Sequence, residues 1–365
     1  MPTIGVMVTM TSSMTRRDAM RVLGAAGGVL AAGAALPVAG AAPAPGEVRV
    51  LAINIWLGGS KISNGIGLVA DLIIATQASI VLLSEANQAT KAIATALEKK
   101  GRKFNAVSSG DTGLLSEFPV EDSSQLDWMV KARLNIGGKR VTAYAAHLEY
   151  RWYATYLPRG YGAGVPAPGE YSEFGWNKMP GGPVTDPVAV QRVNVASSRP
   201  DVLGTFIADA KAEAAAGNSV IMGGDFNEPS VLDWTPATAN MFDHHGVVLP
   251  WESTRRLQQA GFVDAYRSTY PNPVTHPGFT WPASNPGAPV SQLTWAPEAD
   301  ERDRIDYIFT SPGSALKLTG AGIVGPRGSI VRNARQEENT QDNFIASPPK
   351  WVTDHKAILA TYQLG

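Results

Sequence analysis

Seven polar side chains stand at or near the ends of apolar runs in this chain, Asn54, Glu85, His147, Asp225, Asn227, Asp354 and His355, and an eighth, Asp306, lies inside one. Carboxylates and amide carbonyls are hard oxygen donors, and imidazoles titrate near neutrality, so this set suits ion-assisted acid–base chemistry in a cleft. A carboxylate inside an apolar run, as in Arg304-Ile305-Asp306-Tyr307-Ile308-Phe309, is costly unless paired or bound. The stretch Val220-Ile221-Met222-Gly223-Gly224-Asp225-Phe226-Asn227 reads as a short buried strand followed by two glycines that allow a sharp turn. Asp225 and Asn227, if extended, then share a face. A plain turn is the alternative, since Gly, Asp and Asn are common turn formers.

Elements able to position these residues can be read from the periodicity. Alternating or continuous apolar runs predict strands over 48–54, 79–85, 113–116, 128–134, 140–147, 304–309 and 356–362. Helical spacing predicts helices over 67–75, 90–100, 200–216 and 254–260. The segment 150–186 breaks this rhythm with Gly, Pro and aromatic residues, among them Trp152, Tyr153, Tyr156, Tyr161, Tyr171, Phe174 and Trp176. Long loops are often functional, so its rings either pack the loop onto the body or face a substrate. Arg151 and Lys178, within that segment, are candidates to meet a phosphate. Trp281, in His276-Pro277-Gly278-Phe279-Thr280-Trp281, is a candidate to stack on substrate or to pack the core. His244-His245 reads as a surface loop, because adjacent side chains seldom point at one site, and Asp264 reads as structural.

The chain has 365 residues, 44% hydrophobic and 17% charged, with a formal net charge of -1. That is ordinary globular composition, and it supplies no global basic field to attract nucleic acid or an anionic membrane. With no cysteine, an ion must be held by oxygen or imidazole. Arg16-Arg17, an uncharged run over 22–35 and Ala39-Gly40-Ala41 resemble a twin-arginine export signal. The expected organisation is a signal peptide over 1–41, a linker over 42–46 and a catalytic domain over 47–365, secreted as a folded monomer. The apolar run is too short and glycine-rich for a stable membrane span.

In order, the motifs LAINIW, LLSEAN, AAHLEY, GGDFNEP, RIDYIF and TDHKA resemble the endonuclease/exonuclease/phosphatase (DNase I-like) superfamily over nearly the whole chain after the signal. Two positions depart from its pattern: Ser84 stands where a glutamine is usual, and Thr353 where a serine is usual. The resemblance implies an α/β four-layer sandwich of two mostly antiparallel sheets flanked by helices. It implies hydrolysis of a phosphate ester, with Mg²⁺ (Mn²⁺ or Ca²⁺ as alternatives) held by Asn54, Glu85 and Asp354. Asp225 would activate water, Asn227 would donate to the phosphoryl group, Asp306 would fix His355, and His147 would bind phosphate or assist the leaving group. The substrate is left open among nucleic acid, a lipid headgroup diester of the sphingomyelinase kind and a small phosphoester. A catalytically inactive binding protein of the same fold is the rival from another class.

Overall fold

The computed structural model describes residues 44–365, so the expected signal peptide and the start of the linker lie outside the described residues. The strands are β1 (Glu47–Asn54), β2 (Ile80–Ser84), β3 (Asn105–Ser109), β4 (Thr112–Ser116), β5 (Val120–Leu126), β6 (Met129–Ile136), β7 (Lys139–His147), β8 (Ser219–Asp225), β9 (Val263–Asp264), β10 (Asp306–Thr310), β11 (Leu316–Val324), β12 (Gly328–Val331), β13 (Ala334–Glu337), β14 (Phe344–Ile345) and β15 (Ala357–Leu364). One sheet is ordered β14-β11-β15-β1-β2-β4-β3 and the other β5-β6-β7-β8-β10-β9, with β12 and β13 forming a separate hairpin. Pairing is antiparallel except for β1 with β2, β7 with β8, and β11 with β14.

Alternation along the strands builds the layers. Val48, Val50 and Ala52 of β1 face the core between the sheets, where they meet Val141, Ala143 and Ile221 of the other sheet. Leu51 and Ile53 point the other way, onto Leu68, Leu72, Ile93 and Leu97 from the helices Gly65–Thr76 and Thr90–Lys99. On the far side Tyr144, Val220, Met222 and Phe309 pack on Leu203 and Phe206 of the helix Arg199–Ala215 and Leu257 of Glu252–Gln259. Helix, sheet, sheet, helix is the four-layer arrangement expected, because each sheet has apolar residues on both faces and must be covered twice. Among the described residues no helix is long and apolar enough to cross a membrane.

Two local expectations are corrected. Gly223 and Gly224 do not turn the chain, since both lie within β8. Their role is close approach: a Cβ on Gly223 would sit 2.6 Å from the Tyr307 carbonyl, and one on Gly224 (φ +136) 2.0 Å from that of Ala146. His244 is not on the surface; it is buried, its ring stacked on Trp234 with centroids 3.7 Å apart. The aromatic segment is a built wall. Arg159, buried, pairs with Asp303, which also accepts from the Tyr153 hydroxyl at 3.0 Å. Tyr156 donates to Glu301 at 2.7 Å, and Tyr161 bridges Lys178.

Candidate active site

Strand register assembles the polar residues. Asp225 at the end of β8 pairs with His147 of β7 on one side and Asp306 of β10 on the other, so three functional groups occupy one row across three neighbouring strands. In the facing sheet Asn54 ends β1 opposite Ser84 of β2, and Glu85 follows at once. Asp354 and His355 lie just before β15, separated from it by Lys356; that strand runs antiparallel to β1 and so starts beside its end. Ser84 joins the two halves: its hydroxyl donates to the Ala146 carbonyl at 2.8 Å and accepts from the Asp225 amide at 2.9 Å. The residue that departs from the family pattern thus ties sheet to sheet below the site.

Asp225 lies between two imidazoles. Its Oδ2 is 3.7 Å from His355 Nε2 and 3.9 Å from His147 Nε2. Each imidazole is backed by a carboxylate, His355 Nδ1 to Asp306 at 2.9 Å and His147 Nδ1 to Asp111 at 2.6 Å. Asp225 also accepts from the Asn227 amide at 2.8 Å and from Asn54 Nδ2 at 3.0 Å. Burial pushes the Asp225 carboxyl up to about 6, with the charge of His355 opposing and that of Asp306 adding. For His355, burial disfavours the charged form, but Asp306 and Asp225 outweigh it and push the imidazole up to about 10. His147 is raised by the same balance, burial being outweighed by its bond to Asp111 and the charge of Asp225.

Two oxygen sets could hold a cation. Asp225, Asp306 and His355 each bring one ligand atom to within 4.8 Å of one another, and Asp306 Oδ1 is buried without a hydrogen-bond partner. Both ring nitrogens of His355, however, face carboxylate oxygens, an arrangement that suits a protonated imidazole with no lone pair to give. Glu85 and Asp354 are the better hard donors. They line one cavity, burial raises the Asp354 carboxyl with Glu85 adding to the shift, and among the described residues no lysine or arginine lines that cavity to compensate them. Asn54 as placed turns its amide nitrogen to Glu85, at 3.1 Å, and its oxygen to the Trp56 amide, at 2.9 Å. So placed, it braces Glu85 and Asp225.

The cavity, about 490 Å³, gathers seven of the expected residues: Glu85, His147, Asp225, Asn227, Trp281, Asp354 and His355. Asn54 and Asp306 lie buried immediately behind it. Trp281 donates to Asp354 at 3.4 Å, which places it at the carboxylate and on the wall at once. Asn227 does not continue the strand: its φ is +49, and its side-chain Nδ2 donates to the Leu148 carbonyl at 3.1 Å. Arg151 and Lys178 are not brought to the cavity, since Arg151 pairs with Glu149 and Lys178 with Glu298. Asp111 was not foreseen. It stands in an ordinary-looking Gly110-Asp111 turn between β3 and β4, and only the fold brings it to His147.

A curated protein of Caenorhabditis elegans, itself described as uncharacterized, is 27% identical over 328 residues, spanning 86% of this chain and 91% of its own length. Similar solved structures include truncated TDP2 from Caenorhabditis elegans (16% identity, 87% of this chain and 97% of that one, TM-score 0.46). Beta toxin from Staphylococcus aureus is another (14% identity, 86% and 99%, TM-score 0.48), as is an AP endonuclease from Archaeoglobus fulgidus (15% identity, 86% and 99%, TM-score 0.46). The sequence model of the endonuclease/exonuclease/phosphatase family matches residues 51–355, and the chain belongs to that family.

Proposed function

We propose that the protein is a metal-dependent phosphodiesterase. The observation that carries this reading is Asp225 set between two imidazoles, each held by its own carboxylate, on the floor of a cavity that also presents Glu85 and Asp354. A divalent cation of the magnesium type, held by Glu85 and Asp354 with Asn54 bracing, would neutralise phosphoryl oxygens as a Lewis acid. Asp225 takes a proton from water as the water oxygen bonds to phosphorus. His355, kept charged by Asp306, donates to a phosphoryl oxygen. The ester P–O bond then breaks, and its oxygen takes the proton from His147 Nε2, which Asp111 keeps aimed inward. A carboxyl near 6 is mostly ionised at neutral pH and is matched to this task.

Hydrolysis of bis(p-nitrophenyl) phosphate with Mg²⁺, then with EDTA, tests the reading. Turnover should vanish with chelator, and Asp225→Asn should lower kcat roughly 10²–10⁴-fold. Near-wild-type turnover in that variant, or turnover indifferent to EDTA, would refute it. Trp128 and Tyr150, exposed at the cavity mouth, favour a lipid headgroup diester as a second reading, which release of headgroup from sphingomyelin vesicles tests. Export by the twin-arginine route is proposed on the sequence alone. N-terminal sequencing of the secreted protein should find its first residue near Ala42.

A further inference from the structure

Besides its polar residues, the cavity is lined by aromatic side chains that the hydrolytic steps above do not use. They form a wall. Trp176 sits at the centre, with Tyr150 near-parallel to it (16°, centroids 6.2 Å apart) and the rings of Tyr156 and Trp295 set edgewise at 6.0 and 4.9 Å. Tyr150 and Trp295 are about half exposed, at 48% and 46%, although each belongs to a braced segment. Glu301 ties the two sides of this wall together. It accepts from the Tyr156 hydroxyl on one side and from the Trp295 backbone amide, at 3.1 Å, on the other. Gly164 gives Trp176 its seat, because a Cβ there would lie 2.0 Å from the indole. Tyr150 and Trp295, held half exposed against the partly buried Trp176 and the buried Tyr156, leave apolar surface in water and are placed to receive a ligand.

Charge narrows the class. Among the described residues no lysine or arginine lines the cavity, so a second or third phosphate would meet four carboxylates (Glu85, Asp111, Asp225 and Asp354) and, of the described lining, no cationic group beyond the two imidazoles. Proteins that bind nucleic acid or polyphosphates hold those charges with Lys and Arg. We infer that this site takes an ester with a single phosphate whose organic substituent is a flat or bulky uncharged group laid against Trp176 and Trp295, and that it turns polyanions away. This rests on the phosphodiesterase reading for the place of the phosphate, but not for the wall that selects the substituent.

Binding, measured by calorimetry on the full chain in Mg²⁺, tests the inference apart from turnover. Phenylphosphonate should bind at least tenfold more tightly than methylphosphonate, since stacking on one aromatic side chain is worth about that factor. A thymidine hexanucleotide should bind no better than methylphosphonate. Trp295→Ala, at a half-exposed position where folding is not at stake, should reduce the phenyl-to-methyl ratio several-fold, and Trp176→Ala and Gly164→Ala should reduce it at least as far. Equal affinity for the two phosphonates, tighter binding of the hexanucleotide, or an unchanged ratio in Trp295→Ala would overturn it. If both phosphonates bind in the expected order but no diester is hydrolysed, the phosphodiesterase reading fails and the selective wall stands.

Discussion

At the scale of residues, the site depends on each titrating group having a specific neighbour. His147 shows this most simply: burial works against its charged form, and the bond to Asp111, with the charge of Asp225, outweighs it and raises the imidazole. Asp111→Asn should therefore lower kcat for the diester by tenfold or more and move the alkaline limb of the kcat profile to lower pH, because His147, the proposed general acid, would then lose its proton sooner. A profile with an unmoved alkaline limb would mean that Asp111 does not govern His147. His244 makes the opposite case, with no catalytic task. Burial, with the Arg159 charge nearby, holds its pKa down to about 2. The unfolded chain takes up that proton below its ordinary value of 6.5 while the folded protein does not, so stability falls as pH drops from about 6.5 towards 2. The loss approaches roughly 1.4 kcal/mol per pH unit within that window. His244→Phe keeps the stack on Trp234 and removes the titration, so denaturant unfolding of the variant should show a shallower loss of stability between pH 6 and 4 than the wild type; equal slopes would rule His244 out.

At the scale of elements, strand register does the positioning. One row across β7, β8 and β10 places His147, Asp225 and Asp306, so a disturbance of β8 reaches all three. Gly224→Ala forces a Cβ against the Ala146 carbonyl, an overlap that no rotamer can relieve. We expect a loss of about 1–3 kcal/mol in urea unfolding together with a drop in kcat, since overpacking at a strand pair spreads the strands. An unaltered midpoint with normal turnover would show that the strands part without cost. Ser84→Ala removes the hydroxyl that joins the Asp225 amide to the facing sheet while leaving the core of β2 intact. It should cost about 1–3 kcal/mol, the penalty of an orphaned buried amide, which the same unfolding measurement reads.

At the scale of the whole molecule, the site lies where the two sheets meet. Glu85 comes from one sheet and Asp225 from the other, while Asp354 arrives on the segment that closes the fold before β15. An ion held by Glu85 and Asp354, as proposed, would hold distant parts of the chain together. Saturating Mg²⁺ should raise Tm by mass action, about 2.7 kcal/mol of stabilisation at a hundred times Kd, and Asp354→Asn should abolish the increase. An identical Mg²⁺-dependent rise in the variant would place the ion elsewhere.

How much of this was written in the sequence follows from the range of the interactions. Local signals sufficed for β1, β2, β7, β8 and β15 and for the helix Arg199–Ala215, because buried strands and helices carry their own periodicity. The polar residues ending those strands could be named for the same reason. Edge strand β5, Val-Glu-Asp-Ser-Ser-Gln-Leu, carries no such pattern, since most of it faces solvent and only pairing with β6 makes it a strand. Pairing between residues far apart in the chain was equally invisible: that Asp111 belongs to His147, that Asn54 braces Glu85, and that Gly223 and Gly224 answer carbonyls rather than a turn. Arg151 and Lys178 looked like phosphate ligands until the fold gave each a carboxylate. The sequence by itself determined the kinds of donor, the layered α/β architecture and the family. The tertiary structure alone decided which donors meet, which charges cancel and where the aromatic wall stands, because contacts between residues far apart in the chain are selected by packing rather than by neighbours in the sequence.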